Sequence, residues 1–261
     1  MLEGLYESLL TKKLQAQIDE ATGSGLTPKT ELVDAAEQPD VFARHIRDAT
    51  VRALTAESDV DRRRDIVNAL LDQLGAYDDQ LASTPRQLLS LVAPAAPGVL
   101  SRNTNRPATP LCDAALLTNA HGEPSLGHEV QSELGSADQV DLLCAFVKWY
   151  WLRVIEPQLL DLRRRGAPLR VITTTYMGAT ERRALDRLVR DFGAEVKIQY
   201  DSVRTRLHAK AWLFRRNTGF NTAYVGSSNL SRAAMLDGVE WNVRLSEIAT
   251  PPLMQKFSAT F

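Results

Sequence analysis

From residue 139 onward the chain alternates short apolar runs with segments of helical period, and this alternation restricts the fold more than any other feature. VDLLCAFV is followed by WLRVIEPQLLDLRRR, then PLRVITTTY, TERRALDRLVRDF and EVKIQY. Short apolar runs suit buried strands, and the segments between them repeat apolar residues at the spacing of one helix face. The alternation predicts an α/β layer structure with a central buried sheet. Thr180 is the expected N-cap of the helix opening at TERRALDRL.

Three further runs follow. In LHAKAWLF, Leu207, Ala209, Ala211 and Leu213 alternate with His208, Lys210, Trp212 and Phe214. Residues two apart on a strand share a face, so an imidazole and an ammonium are expected side by side. In TAYVGSSN, Gly226 relaxes the backbone at the strand exit, and Ser227, Ser228 and Asn229 follow with hydroxyls and an amide. VEWNVRLS is expected to bury Val239, Trp241, Val243 and Leu245 and to leave Glu240 and Asn242 on the other face. Three strands would thus deliver polar groups to one rim.

HAK, then GSSN, then a Glu eleven residues beyond Asn229 resemble the phospholipase D-like phosphodiesterases, particularly their nuclease branch. The resemblance covers roughly the last 150 residues. CDAALLTNAHGEPSLGHEV, VDLLCAFVKW and SVRTRLHAKAWLF are similar, more narrowly, to the N-terminal module of certain bacterial superfamily 2 helicases. The resemblance implies a phospholipase D-like central mixed sheet flanked by helices, in a chain that is a fragment of a longer helicase. Where the family's longer motif carries an Asp, this chain has Arg215, which with Arg216 either extends a phosphate-binding surface or solvates a hairpin.

The same resemblance implies the chemistry. His208 attacks phosphorus and forms a phosphohistidine, dividing one hard displacement into two easier ones. Lys210 and Asn229, helped by Ser227, hold the non-bridging oxygens where charge gathers. Glu240 orients a histidine, either its own subunit's or the partner's. Arg204, Arg206, Ser228 and Arg215 are the expected substrate-binding residues. Of the four histidines, His45, His121, His128 and His208, only His208 lies in such a motif. One histidine cannot stand on both sides of a phosphorus, so a homodimer sharing its active site is expected.

Residues 1–90 contain the helix-period segments LYESLLTKKLQAQI and DRRRDIVNALLDQL, interrupted at GSGLTPKT and around Pro39, and read as a helical bundle. Residues 91–110 read as a linker or irregular segment, and 111–261 as the catalytic domain. GSGLTPKT is similar to a phosphate loop but lacks the Gly before Lys29, and reads as a turn.

The net charge is −1, yet residues 1–80 hold nine Lys or Arg against sixteen Asp or Glu, and residues 161–220 hold fourteen against six. A basic block beside a phosphate-handling site suits a DNA or RNA strand better than a lipid, and DNA is the expected partner before RNA. Cys112, His121, His128 and Cys144 lack the close pairing of zinc ligands, so neither metal nor cofactor is expected. Two cysteines, no signal peptide and no membrane-length apolar run point to a cytoplasmic protein without a membrane partner. Two alternatives stand beside the nuclease reading: a non-catalytic nucleic-acid-binding and dimerisation module of a helicase, and a phospholipid hydrolase.

Overall fold

The structure, a computed structural model, describes residues 1–92, 106–201, 207–227 and 240–261. They fall into two compact units, Met1–Leu89 and Ser90–Phe261. The first carries helices α1 (Lys12–Gly23), α2 (Gln38–Ala56) and α3 (Val60–Gln73). Thr11 caps α1 by accepting from the Leu14 amide, and Asp59 caps α3 by accepting from Asp61 and Arg62. Pro39, expected to interrupt a helix, instead opens α2 from its first turn, where its fixed φ and missing N–H cost nothing. In GSGLTPKT, Gly25 takes φ 94 and the Leu26 amide returns to the Ala21 carbonyl at 3.1 Å, a helix-terminating turn. Ala21 is the one buried apolar side chain of this unit, so its three helices do not enclose a bundle core of their own.

The second unit runs β1 (Ala115–Leu117), α4 (Leu126–Ser136), β2 (Gln139–Cys144), α5 (Trp149–Val154), α6 (Glu156–Arg164), β3 (Leu169–Thr174), α7 (Arg182–Arg190), β4 (Glu195–Gln199), β5 (Lys210–Arg215), β6 (Thr222–Gly226), β7 (Asn242–Ser246) and α8 (Pro251–Thr260). The fold is α/β, with one seven-stranded sheet in the order β1-β7-β6-β5-β2-β3-β4. β2, β3 and β4 are parallel; every other neighbouring pair is antiparallel. On one sheet face Val140, Leu142, Trp212 and Phe214 pack against Leu134, Leu152, Leu159 and Leu188 of the helices. Each such side chain contributes about 1.5–3 kcal/mol when fully buried. On the other face Met254 of α8 covers Leu213 and Ala223.

Three local expectations fail for physical reasons. β5 starts at Lys210, so His208 stands just ahead of the strand. β7 is turned over: Asn242, Arg244 and Ser246 are buried, whereas Trp241 is 63% and Val243 45% exposed. The inward face is polar because Arg244 finds the Glu133 carboxylate, the Tyr224 hydroxyl and the carbonyls of Pro110 and Asp113 inside. A buried charge is tolerated there because it is paired and hydrogen-bonded. Thr180 does not cap α7, whose N-cap is Glu181; its hydroxyl donates to the Ala145 carbonyl at 3.1 Å instead.

Candidate active site

The strand directions gather one edge. The C-terminal ends of β2, β3, β4 and β6 and the starts of β5 and β7 all meet there, the edge at which α/β sheets with parallel strands bind ligands. Lys210 pairs with Cys144 in the β2–β5 register, and the Ala145 amide continues the pairing by donating to the Ala209 carbonyl at 3.2 Å. His208 therefore lies across from Phe146, their rings edge to face with centroids 5.8 Å apart at 77°. Lys210 Nζ is 3.2 Å from both Nδ1 and the carbonyl oxygen of His208. An ammonium only donates, so in this contact Nδ1 is the acceptor.

On the next strand Gly226 closes β6 opposite Asn242. A Cβ at Gly226 would run into Asn242 Oδ1 and the Trp241 carbonyl, so the two strands meet there only because the residue is glycine. One residue on, the Ser227 amide donates to the Trp241 carbonyl at 3.1 Å, and the Trp241 amide returns to Ser227 Oγ at 3.3 Å. The Ser227 hydroxyl donates to Glu240 Oε2. Two polar pairs, His208–Lys210 and Ser227–Glu240, thus stand on one edge.

The loop carrying Phe146 is latched to its neighbours. The hydroxyls of Thr173 and Thr180 both donate to the Ala145 carbonyl, at 3.3 and 3.1 Å. The Glu181 amide donates to the Val147 carbonyl at 2.9 Å, while its carboxylate accepts from the Trp149 amide at 3.2 Å. The Arg183 hydrogen bond, with help from the Trp149 amide, draws the Glu181 carboxyl below its usual range.

Residues 133–261 match the family model described as "Cardiolipin synthase, PLD-like domain". They are similar to a phospholipase D-like domain. No curated protein sequence matches the chain. Among solved structures the chain is similar to Nuc, a phospholipase D family member of Salmonella typhimurium, at 18% identity and TM-score 0.43 over 57% of this chain and 91% of that one. NucT from Helicobacter pylori matches at 13% identity and TM-score 0.43, over 57% and 94%. Phosphatidylserine synthase of Haemophilus influenzae matches at 13% identity and TM-score 0.38, over 55% and 36%.

In the phospholipase D-like domain Arg215 is not part of the His208 cluster. It ends β5 at the opposite edge, where its Nε donates to Asp141 at 3.1 Å beside the two-pronged Arg170 contact at 2.7 Å. Burial pushes the Asp141 carboxyl up, but the hydrogen bonds from Arg170, Gln139 and Arg215 outweigh it and hold the carboxyl below its ordinary value. Arg216 is buried on Glu133 and Ser136. Asn229, Ser228, Arg204 and Arg206 lie outside the described residues.

One cluster was missed in the sequence. Glu133 accepts from the Tyr224 hydroxyl at 2.8 Å, the Thr222 hydroxyl at 2.9 Å, Arg244 at 3.3 Å and Arg216. It ties α4 to β6, to β7 and to the residue after β5, the strands that carry the site. The readable signal was Glu129 and Glu133, one turn apart on a helix that also presents Leu126, Val130 and Leu134 to the core. Burial first, then the charge of Glu133, holds the Tyr224 hydroxyl well above its ordinary pKa, so it remains a donor. Among the described residues, no group of three His, Cys, Asp or Glu side chains is arranged to hold a metal, and no helix is long and apolar enough to cross a membrane.

Proposed function

We propose that the phospholipase D-like domain is a metal-independent phosphodiesterase that cleaves nucleic acid, DNA before RNA, through a covalent phosphohistidine, as the N-terminal module of a helicase. The observation that carries this reading is the His208–Lys210 pair on the same edge as the Ser227–Glu240 pair. Substrate phosphate draws Lys210 off Nδ1 onto a non-bridging oxygen. The ring proton then resides on Nδ1, hydrogen-bonded to Glu240 of its own or the partner subunit, and the free lone pair of Nε2 attacks phosphorus. The departing oxygen takes a proton from the partner subunit's His208 in its imidazolium form, and the resulting neutral ring takes a proton back from the water that cleaves the phosphohistidine.

The test is incubation of wild type and His208→Ala with labelled single- and double-stranded DNA and RNA in EDTA at two salt concentrations. Cleavage by wild type alone, faster on DNA and weakened by salt, is expected. Cleavage abolished by EDTA, or retained in His208→Ala, contradicts the reading, as does a monomer that is fully active. One observation favours the second reading, a binding module: at rest Lys210 occupies Nδ1 and Glu240 holds Ser227, so the groups are not poised. Salt-sensitive binding by both proteins without cleavage by either would support it.

A further inference from the structure

Beyond His208 the same edge continues across β2, β3 and β4. The register fixes the order: His208 at the start of β5, Phe146 after β2, Met177 after β3 and Tyr200 after β4. Two of these are unusual. Met177 is 76% and Tyr200 73% exposed, large apolar surfaces set at the rim of a site. Met177 also holds φ 59 and ψ 10, a left-handed conformation that non-glycine residues uncommonly adopt. The surroundings enforce it. The Tyr176 amide donates to the Thr174 hydroxyl at 3.1 Å, and the Gly178 amide to the Thr175 carbonyl at 3.0 Å.

The strand exits that carry these two residues are bonded to one another. The Gln199 carbonyl, one residue before Tyr200, accepts from the Thr174 hydroxyl at 3.1 Å and from the Thr175 amide at 3.2 Å. The exit of β3, with Met177, and the exit of β4, with Tyr200, thus form one bonded ledge. Neighbouring strands are about 4.8 Å apart, so three intervals carry the ledge about 14 Å from His208. That length holds about four nucleotides at a stacked rise of about 3.4 Å. Arg182, its side chain 92% exposed and 3.8 Å from Asp186, follows the same loop.

We propose that Met177 and Tyr200 form a stacking ledge for unpaired bases, which leads a single strand into the His208 site. The proposal rests on the nucleic-acid reading of that site and narrows its substrate. In a duplex the base faces are covered by their neighbours, whereas an unpaired strand can lay them on a phenol ring and a thioether. The ledge therefore selects single strands, and phosphate contacts alone do not.

The test compares binding of a labelled 12-nucleotide DNA strand, its abasic counterpart with every phosphate retained, and a hairpin duplex, in EDTA by fluorescence anisotropy. Wild type is expected to bind the natural strand at least tenfold tighter than the abasic one. Tyr200→Ala and Met177→Gly should each remove about tenfold of the single-strand affinity and leave that for the abasic strand unchanged. Met177→Gly suits the left-handed backbone, so an undiminished thermal midpoint separates lost stacking from lost folding. Equal affinity for natural and abasic strands, or variants that bind like wild type, overturns the ledge. Sedimentation with anionic vesicles together with such base indifference would assign the ledge to a lipid surface instead. Hydrolysis of methyl p-nitrophenyl phosphate by wild type and His208→Ala reads the catalytic proposal separately, since that substrate has no base to stack.

Discussion

Replacing Glu133 by Gln tests whether a buried carboxylate holds the site-bearing strands together. Glu133 and Arg244 are fully buried and the Arg216 side chain is 4% exposed. Gln keeps the shape and one acceptor oxygen, but it turns an NH2 group toward donors and leaves two buried guanidinium groups without their carboxylate. Breaking a buried ion pair from one side costs about 3–5 kcal/mol. Two charged hydrogen bonds at about 1.5–3 kcal/mol each give the same range. About 4 kcal/mol is a large share of the roughly 5–15 kcal/mol that stabilises a domain. All four tryptophans, Trp149, Trp151, Trp212 and Trp241, lie in the C-terminal unit, so urea unfolding followed by tryptophan fluorescence reads that unit alone. With a slope of about 2 kcal/mol per molar, the midpoint should fall by about 2 M. A midpoint within about 0.3 M of wild type would refute the reasoning.

Gly226→Ala should push β6 from β7 and displace Ser227 and Glu240. An overpacking cost of about 1–3 kcal/mol and at least a tenfold loss of diester hydrolysis are expected; wild-type turnover with an unchanged urea midpoint would count against the close approach at Asn242. Asp141→Asn should cost about 2 kcal/mol at pH 7. Because the folded carboxyl titrates below its unfolded value of about 3.9, its contribution is present above that pH and is lost as the pH falls through the folded value. The stability gap between variant and wild type should therefore narrow below about pH 4 in thermal melts. Phe146→Ala removes the edge-on support of His208, and should lower kcat about tenfold with KM little changed while Phe146→Tyr restores it. A matching loss in the Tyr variant would mean that the ring does not orient the imidazole.

The sheet was legible because strands buried against helices must be apolar, and VDLLCAFV, PLRVITTTY and EVKIQY announce themselves by that requirement. The His208–Lys210 contact was legible from a spacing of two, whereas Glu240, expected on a histidine, is instead held by the Ser227 hydroxyl 13 residues earlier. What was not legible depended on partners far along the chain. The polar face of β7 is inward because of Glu133, more than a hundred residues before Arg244. Arg215 belongs to Asp141, 74 residues earlier. Thr180 serves the Ala145 carbonyl across the sheet edge rather than its own helix. A local pattern cannot distinguish a free hydroxyl or guanidinium from one already claimed by a distant strand.

The central claim is a covalent bond between His208 and the substrate's phosphorus. Wild type and His208→Ala should be mixed with a DNA strand labelled at every phosphate, quenched in denaturant at alkaline pH within a single turnover, and digested with trypsin. The account predicts acid-labile label on Leu207–Lys210 of the wild type and none in the variant. Cleavage without protein-bound label, or label that persists after His208→Ala, would contradict it.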